Sequence, residues 1–160
     1  MLVVFDIDGT LANIEHRLDY VRSKPKNWKA FDAGIPNDKV NLPVAEIYRQ
    51  MVGATEQVVP EYPHSNLHNI VLASGRNERS RTATEDWLYA NRLTGYQKLY
   101  MRKADDFRSD DIVKQEILDQ IIADYGKKPD MVFDDRKRVV DMWRRNGIWV
   151  FDCNQSGQEF

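Results

Sequence analysis

The segment Val4-Phe5-Asp6-Ile7-Asp8-Gly9-Thr10 decides how this chain is interpreted. A short apolar run, Leu2–Phe5, leads directly into two carboxylates that are spaced two residues apart. The run contains β-branched and aromatic residues, as buried parallel strands do. In an open parallel sheet, ligands bind beyond the carboxyl ends of the strands. The sequence therefore predicts that Asp6 and Asp8 lie at the edge of a sheet where a ligand would bind.

Further apolar runs alternate with helix-like stretches along the chain. The other predicted strands are Ile70–Ala73, Lys98–Met101, Met131–Phe133 and Ile148–Phe151. The predicted helices are Val44–Met51, Glu78–Asn91, Asp110–Tyr125 and Arg136–Asn146. Such alternation is typical of a doubly wound α/β fold. We therefore expect one Rossmann-like domain over residues 1–160, with a parallel sheet of five strands.

Two stretches interrupt this alternation. Asn13–Leu42 separates the first strand from its helix, and a long insertion inside a compact unit is usually functional, so we expect a lid or cap. Its aromatic residues beside cations suit stacking of a base, or serve only to pin the insertion to the core. The side chains concerned are His16, Arg17, Tyr20, Trp28, Lys29, Phe31 and Asp32. The second stretch, Gly53–His68, is expected to be a surface loop.

The composition limits the classes of protein to which the chain can belong. Hydrophobic residues make up 42% and charged residues 30%, which is typical of a folded globular domain. The net charge of -2 provides no overall basic field that would attract nucleic acid, although it is compatible with a local basic patch. The single Cys153 rules out an intrachain disulfide and favours a reducing, cytoplasmic compartment. No apolar stretch approaches the length of a membrane span, so we expect no membrane partner.

Polar side chains follow four of the predicted strands, so one edge of the sheet collects them. They belong to Asp6, Asp8, Ser74, Arg76, Arg102, Asp134, Asp135 and Arg136, with Gly75 lying between Ser74 and Arg76. Crowded carboxylates raise one another's pKa unless a cation offsets their charge. Oxygen ligands without Cys or His favour Mg²⁺ over zinc. The sequence therefore predicts a magnesium site that contains Asp6, Asp8, Asp134 and Asp135.

The chemistry that suits this edge is phosphoryl transfer, which depends mainly on positioning and charge neutralisation. A carboxylate such as Asp6 can attack phosphorus and form an aspartyl-phosphate. A second carboxylate, Asp8, can protonate the leaving oxygen and then activate water. Charge-assisted donors suit phosphate oxygens, and the candidates are Ser74, Arg76, Arg102 and Lys114. We therefore predict a phosphomonoesterase with Asp6 as the nucleophile.

Several of these residues also have a purely structural interpretation. Lys114 could be a solvated helix lysine, and Lys103 is a rival for its role. Asp135 could cap the helix that follows it, and Arg136 could be a surface charge. Ser74 and Gly75 could form a simple turn. These alternatives stay open on the residues alone.

The motifs resemble those of the haloacid dehalogenase-like (HAD-like) phosphatases. The first motif of that superfamily, Asp-x-Asp-x-Thr, is matched by Asp6 to Thr10. Its second, a Ser or Thr after the next strand, is matched by Ser74, and its acidic pair by Asp134-Asp135. The resemblance implies a Rossmann-like phosphatase that uses Mg²⁺ and an aspartyl-phosphate intermediate.

A narrower resemblance is to the 3′-phosphatase domain of phage polynucleotide kinase-phosphatases. The residues that carry it are Ala73 to Arg76, Arg102, Asp110 to Lys114, Asp134 to Arg136 and Met142 to Arg145. It implies that Lys114 contacts phosphate and the nucleophile, and that Asp6, Asp134 and the backbone carbonyl of Asp8 bind magnesium. It also points to Arg76, Arg102 and Arg136 as phosphate or substrate contacts. We further expect Thr10, Ser74 and Gly75 to contribute to phosphate binding.

The expected substrate is a phosphorylated nucleotide or nucleic-acid end, with a polynucleotide 3′-phosphate as the first candidate. Two features depart from the phage family: these 160 residues contain no Gly-x-x-x-x-Gly-Lys-Ser/Thr loop, and the insertion over residues 13–42 is long. The alternatives are a nucleotidase or other small-metabolite phosphatase, and a non-catalytic phosphate-binding module.

Overall fold

The fold is built on a central parallel sheet, seen in a computed structural model that describes residues 1–56, 68–155 and 157. In chain order the elements are β1 (Leu2–Phe5), β2 (Ala12–Asn13), α1 (Glu15–Arg22), α2 (Trp28–Ala33), a 3₁₀ turn (Ile35–Asn37), β3 (Lys39–Val40), α3 (Leu42–Glu56), β4 (Asn69–Asn77), a second 3₁₀ turn (Glu78–Ser80), α4 (Arg81–Ala90), β5 (Lys98–Arg102), α5 (Asp110–Tyr125), β6 (Met131–Asp134), α6 (Lys137–Arg145) and β7 (Trp149–Asp152). The main sheet has the order β5-β4-β1-β6-β7, with every neighbouring pair parallel. The predicted doubly wound α/β class and five-stranded sheet are therefore confirmed.

The central strand β1 is buried on both faces of the sheet. Val3 and Phe5 belong to a core shared with α3, α4 and residues of the insertion. Leu2 and Val4 belong to a second core, shared with α5 and α6. All four side chains are 0% exposed, which explains why the strand is a continuous apolar run rather than an alternating one. Burial of β1 fixes the position of the polar residues that follow it.

The largest errors in the predicted boundaries are at the ends of β4 and α3. Strand β4 continues to Asn77, past the predicted end at Ala73, because its last residues still pair with β5 through a shift in register. Helix α3 runs on to Glu56, so the start of the expected loop at Gly53 is helical. A glycine costs a helix only about 1 kcal/mol relative to alanine, which the packed face of α3 outweighs. Residues 57–67 of that expected loop lie outside the described residues.

The insertion over residues 13–42 folds onto the loop that follows β1. Strands β2 and β3 pair antiparallel, which brings the two ends of the insertion together. The Asn41 Nδ2 atom donates to the carbonyl oxygens of Gly9 and Thr10, both at 3.0 Å. Phe31 and Ile35 are buried in the same core as Phe5. The insertion is thus packed against the polar loop rather than projecting from the domain.

Gly9 allows the tightest approach in this loop. Its φ is +87°, in the left-handed region that favours glycine. A Cβ atom at this position would lie 1.9 Å from Oδ2 of Asp135. The glycine therefore lets the loop after β1 meet the loop after β6.

No helix among the described residues is both long and apolar enough to cross a membrane.

Replacing Gly9 with alanine should destabilise the protein by more than the same replacement at a positive-φ glycine that has open space around it. We expect Gly9→Ala to lower the free energy of unfolding by more than about 2 kcal/mol, because backbone strain adds to displacement of Asp135. Gly126→Ala is the matched control, since Gly126 has φ +70° and nothing within 4 Å of its Cβ position. It should cost about 1 kcal/mol. Urea unfolding measures both, and equal losses would contradict the close approach.

Candidate active site

A buried ion pair lies at the carboxyl end of β1. Asp6 is 6% exposed, and its backbone N–H donates to the carbonyl of Phe133 at 2.9 Å. The Lys114 Nζ atom, on α5, lies 2.6 Å from Asp6 Oδ1 and 3.1 Å from Asp134 Oδ2. Lys114 is 3% exposed, so it is not the solvated helix lysine of the alternative interpretation. Its predicted contact with Asp6 is present as a hydrogen bond. The catalytic roles of both residues stay predictions.

Three carboxylates form an acidic cluster around this lysine. Asp6, Asp134 and Asp135 are all buried and each offers an oxygen within 4.8 Å of the others. Burial raises the pKa of Asp6 to about 7, with Asp134 adding to the rise and Lys114 opposing it. Burial, Asp6 and Asp134 raise the pKa of Asp135 to about 8. The raised pKa values indicate that the single ammonium group of Lys114 does not offset the charge of all three carboxylates in their ionised form.

This donor set fits a magnesium ion. Oxygen ligands at a site of excess negative charge suit a hard divalent cation, and bound metal would favour the ionised carboxylates. Asp134 is held in place by neighbours: it accepts from Trp143 Nε1 at 3.1 Å and from the backbone N–H of Arg136 at 3.2 Å. Such supporting hydrogen bonds orient metal ligands.

The side chain of Asp8 is directed at arginines. Its Oδ1 accepts from Arg17 Nη2 at 2.8 Å, and from Arg76 Nη2 at 2.6 Å and Nε at 2.9 Å. Burial alone would raise the pKa of Asp8, but Arg76 and Arg17 together lower it below its ordinary value. The carboxylate group of Asp8 is thus engaged apart from the acidic cluster. Its carbonyl remains the predicted route to a metal.

Asp38, from the insertion, completes a second buried charge cluster. It accepts from Arg17 Nε and Nη2 and from Arg76 Nη2, each at 2.7 Å. Its backbone carbonyl accepts from Trp87 Nε1 at 2.8 Å. The side chains of Asp38 and Arg17 are 0% exposed. Two guanidinium groups therefore bridge Asp8 to the insertion.

The predicted phosphate contacts lie around these two clusters. Ser74 is fully buried, and its Oγ accepts from the backbone N–H of Arg76 at 3.1 Å. Thr10 is also fully buried, and among the described residues its Oγ1 has no hydrogen-bond partner. Arg76 is only 4% exposed, with all three guanidinium nitrogens bonded to protein oxygens. Its geometry is that of a group that positions Asp8, and its contact with phosphate remains a prediction.

Asp110 joins the two outer arginines. Arg102 Nη2 pairs with Asp110 Oδ1, and Arg136 Nη1 pairs with Asp110 Oδ2. Arg102 also donates from Nε to the carbonyl of Gly75 at 2.9 Å. The structure thus brings Gly75, Arg102 and Arg136 together at the edge of the sheet, through an aspartate at the start of α5.

Sequence patterns miss three of the supporting residues. They assign no role to Asp38, and Asp110 and Trp143 appear only among the residues that carry the narrower resemblance, without a role of their own. These residues carry no local signal, because their partners are distant along the chain.

The fold and the site together define a HAD-like phosphatase domain: an Asp-x-Asp-x-Thr loop after the central strand faces a lysine and an acidic pair. Residues 1–158 match the family described as the polynucleotide kinase PNKP phosphatase domain, and the chain belongs to that family.

Similar proteins include larger ones. The chain is 28% identical over 143 residues to the "Putative bifunctional polynucleotide kinase/RNA ligase" of Autographa californica nuclear polyhedrosis virus, covering 89% of this chain and 17% of that protein. It resembles a chain of the Pnkp1/Rnl/Hen1 complex with a TM-score of 0.70 and 32% identity, covering 94% of this chain and 45% of the other. The chain therefore spans less than half the length of either relative.

A more distant structure shares the fold alone. It is the HAD family enzyme bt-2542 from Bacteroides thetaiotaomicron, solved in complex with magnesium and inorganic phosphate. The TM-score is 0.56 at 12% identity, over 99% of this chain and 96% of that one.

Magnesium should stabilise the folded protein. At a concentration one hundred times its dissociation constant, we expect a gain of about 2.7 kcal/mol in the free energy of unfolding. At a fixed magnesium concentration, the gain should be larger at pH 8.5 than at pH 6, because protons bound to Asp6 and Asp135, with pKa values of about 7 and 8, compete with metal. Urea unfolding with Mg²⁺ and with a chelator measures it.

Asp135→Asn tests whether the acidic cluster is the origin of that gain. The variant should lose most of the magnesium-dependent stabilisation, whereas Asp119→Asn, on the exposed side of α5, should retain it. A magnesium gain that is unchanged in Asp135→Asn would contradict this site.

A second prediction concerns the wild type in chelator. Its free energy of unfolding should fall as the pH rises from about 4 to about 8, since carboxyls with raised pKa values favour the folded state only while they are protonated.

Proposed function

We propose that this chain is a magnesium-dependent phosphomonoesterase that removes the 3′-phosphate from polynucleotide ends through an aspartyl-phosphate intermediate. The observation that carries the proposal is the buried carboxylate of Asp6, which lies at the end of the central strand beside Lys114 and in the acidic cluster. Membership of the PNKP phosphatase-domain family supports it.

In the first step, a carboxylate oxygen of Asp6 attacks phosphorus and the bond from phosphorus to the ester oxygen breaks. The leaving 3′-oxygen takes a proton from Asp8 and departs as an alcohol. In the second step, water gives a proton to Asp8 and attacks phosphorus. The bond from phosphorus to Asp6 breaks, which releases inorganic phosphate and restores both carboxyl groups.

Lys114 and the acidic cluster both act on the negative charge of the transferring phosphoryl group, Lys114 directly and the cluster through the metal that it would hold. Burial lowers the pKa of Lys114, but Asp134 and Asp6 raise it by more, so the ammonium group keeps its proton. It orients Asp6 and offsets charge in both steps. Asp6, Asp134 and the backbone carbonyl of Asp8, with Asp135 close by, would hold Mg²⁺, which supplies positive charge to the transferring phosphoryl group when bound.

Asp8 needs a proton before it can act as the acid. Its two arginine partners keep the resting group ionised. A phosphate monoester brings negative charge into the site, and a neighbouring negative charge raises the pKa of a carboxyl group. Asp38 shares the same arginines, so it reduces the hold of these cations on Asp8. We infer that proton uptake by Asp8 accompanies substrate binding.

The similar proteins favour a polynucleotide end as the substrate. One relative is named for polynucleotide kinase and RNA ligase activities. Another solved structure, with 30% sequence identity to this chain, is described as the Pnkp1/Rnl/Hen1 RNA repair complex. Removing a 3′-phosphate leaves a 3′-hydroxyl, which is the group that a ligase joins. We therefore place the proposed reaction before end joining, with a kinase and a ligase as the proposed partner activities.

The nucleophile is tested with Asp6→Asn. We expect it to lower magnesium-dependent release of phosphate by at least about a thousandfold, because an amide cannot form the acyl phosphate. Asp19→Asn is the control, since Asp19 is exposed. Circular dichroism checks that both variants fold. Undiminished turnover in Asp6→Asn would refute the nucleophile.

The same assay separates the possible substrates. A 3′-phosphorylated oligonucleotide should have a higher kcat/KM than the corresponding mononucleotide, with a preference that weakens at high salt. Equal or better turnover of mononucleotides, with no dependence of that ratio on salt, would instead favour a nucleotidase.

The acid is tested with Asp8→Asn on two leaving groups. For a nucleoside 3′-phosphate, whose alkoxide leaves poorly, we expect a loss of about 10²- to 10⁴-fold in the rate of the first step. For an aryl phosphate with a good leaving group, the first-step loss should be much smaller. Single-turnover measurements of alcohol or phenol release give both rates. Equal losses on the two substrates would argue against proton donation by Asp8.

A further inference from the structure

One segment of the insertion concentrates positive charge in an otherwise acidic protein. Residues 20–29, here called the basic segment, contain four cations and no acidic residue, whereas the whole chain has a net charge of -2. The cations are Arg22, Lys24, Lys26 and Lys29, and all four are exposed. Two aromatic side chains of the segment are also exposed, Tyr20 by 46% and Trp28 by 54%.

The segment ends on the first turn of α2, whose inner face covers the catalytic network. Trp28 is followed at helical spacing by Phe31 and Asp32, so these three side chains lie on adjoining parts of one face. Phe31 is buried, with the guanidinium carbon of Arg17 4.1 Å from its ring centroid. Arg17 in turn bonds Asp8.

The half-buried Asp32 gives a second indication that this face of α2 is directed towards the site. Burial raises the pKa of Asp32, and its carboxyl group interacts electrostatically with Arg17, Asp8 and Arg76. The geometric link from Trp28 to these arginines is Phe31, whose ring lies between the Trp28 indole and the Arg17 guanidinium group in a chain of ring contacts. Trp28 lies at the outer border of the site rather than on a remote surface.

The indole of Trp28 is held in place while part of it stays open. Its ring packs edge-on against Phe31, with centroids 5.8 Å apart and an interplanar angle of 85°. The Nζ atom of Lys26 lies 5.4 Å from the Trp28 ring centroid. An aromatic group that is fixed before binding loses little freedom when a second ring stacks on it. Cations beside such a ring are the usual combination for single-stranded nucleic acid.

We infer that the basic segment is the strand-binding site of this phosphatase. Trp28 stacks on an unpaired base near the 3′ end, and the four cations contact backbone phosphates on the side away from the terminal phosphate. The occupant is single-stranded polynucleotide, because stacking on an exposed indole requires a base that is free of its partner strand. This inference rests on the proposed function, since it assigns the part of the substrate that the catalytic residues do not touch.

Trp28→Ala tests the stacking contact. In an Asp6→Asn background, which prevents turnover, we expect about tenfold weaker binding of a fluorescein-labelled, 3′-phosphorylated oligothymidylate, as measured by anisotropy. Trp28→Phe should restore most of the loss. Trp149→Ala is the matched control, because Trp149 is 80% exposed and begins β7 at the opposite end of the sheet. An undiminished affinity in Trp28→Ala, or equal losses in it and the control, would overturn the stacking role.

The cations are tested through salt dependence. Each lysine that no longer neutralises a backbone phosphate should reduce the slope of log affinity against log salt concentration by about 0.7. A triple variant, Lys24→Gln, Lys26→Gln and Lys29→Gln, should therefore lower the slope by about 2. The control pair, Lys127→Gln and Lys128→Gln, lies between α5 and β6, away from the site, and should leave it unchanged. An unchanged slope in the triple variant would overturn the backbone contacts.

Kinetics separate this inference from the proposed function. With Asp6 intact, Trp28→Ala and the triple variant should lower kcat/KM for the oligonucleotide about tenfold more than for p-nitrophenyl phosphate. Equal losses on the two substrates would contradict strand binding by the insertion. Absence of magnesium-dependent hydrolysis of either substrate by the wild type would contradict the proposed function, while the binding measurements would still decide the inference.

Discussion

The site depends on one buried contact, the ammonium group of Lys114 between the carboxylates of Asp6 and Asp134. It joins α5 to the ends of β1 and β6 and places one positive charge among three buried carboxylates. Removing such a partner is costly because it leaves an uncompensated charge in a buried site. One lysine does not balance the three carboxylates of the cluster, so the site retains negative charge that a divalent cation can offset.

A second buried cluster differs in this balance, and the difference explains its role. Asp8 and Asp38 face Arg17 and Arg76, so two negative groups meet two positive ones. A balanced cluster has no need of a metal. It fixes the position of Asp8 and attaches the insertion to the core through Asp38. The inner layer of the insertion therefore contributes Arg17 and Asp38 to the network that holds Asp8, while its outer layer carries the exposed cations and Trp28.

Patterns along the chain predicted the sheet well because its strands contain short apolar runs, and because β1, β4 and β6 are largely buried. They were less reliable where a local signal competed with packing. Gly53 suggested a helix end, yet the buried face of α3 carries the helix through it. Ser74 to Arg76 suggested a turn, yet pairing with β5 keeps the chain extended through Asn77. In both places tertiary contacts outweighed propensities worth about 1 kcal/mol.

By itself, the sequence determined the class of fold and the residues most suited to the chemistry. Because an apolar strand leads directly into Asp6 and Asp8, their carboxylates lie at the edge of a sheet, and this placement can be read from the local sequence alone. Only the tertiary structure decided which charges meet: Lys114 with Asp6, and Arg17 with Asp38. A charged residue has the same appearance in a sequence whether it is solvated or buried. Its partner is fixed by packing between segments far apart along the chain, and that packing determines its pKa and the role it can take.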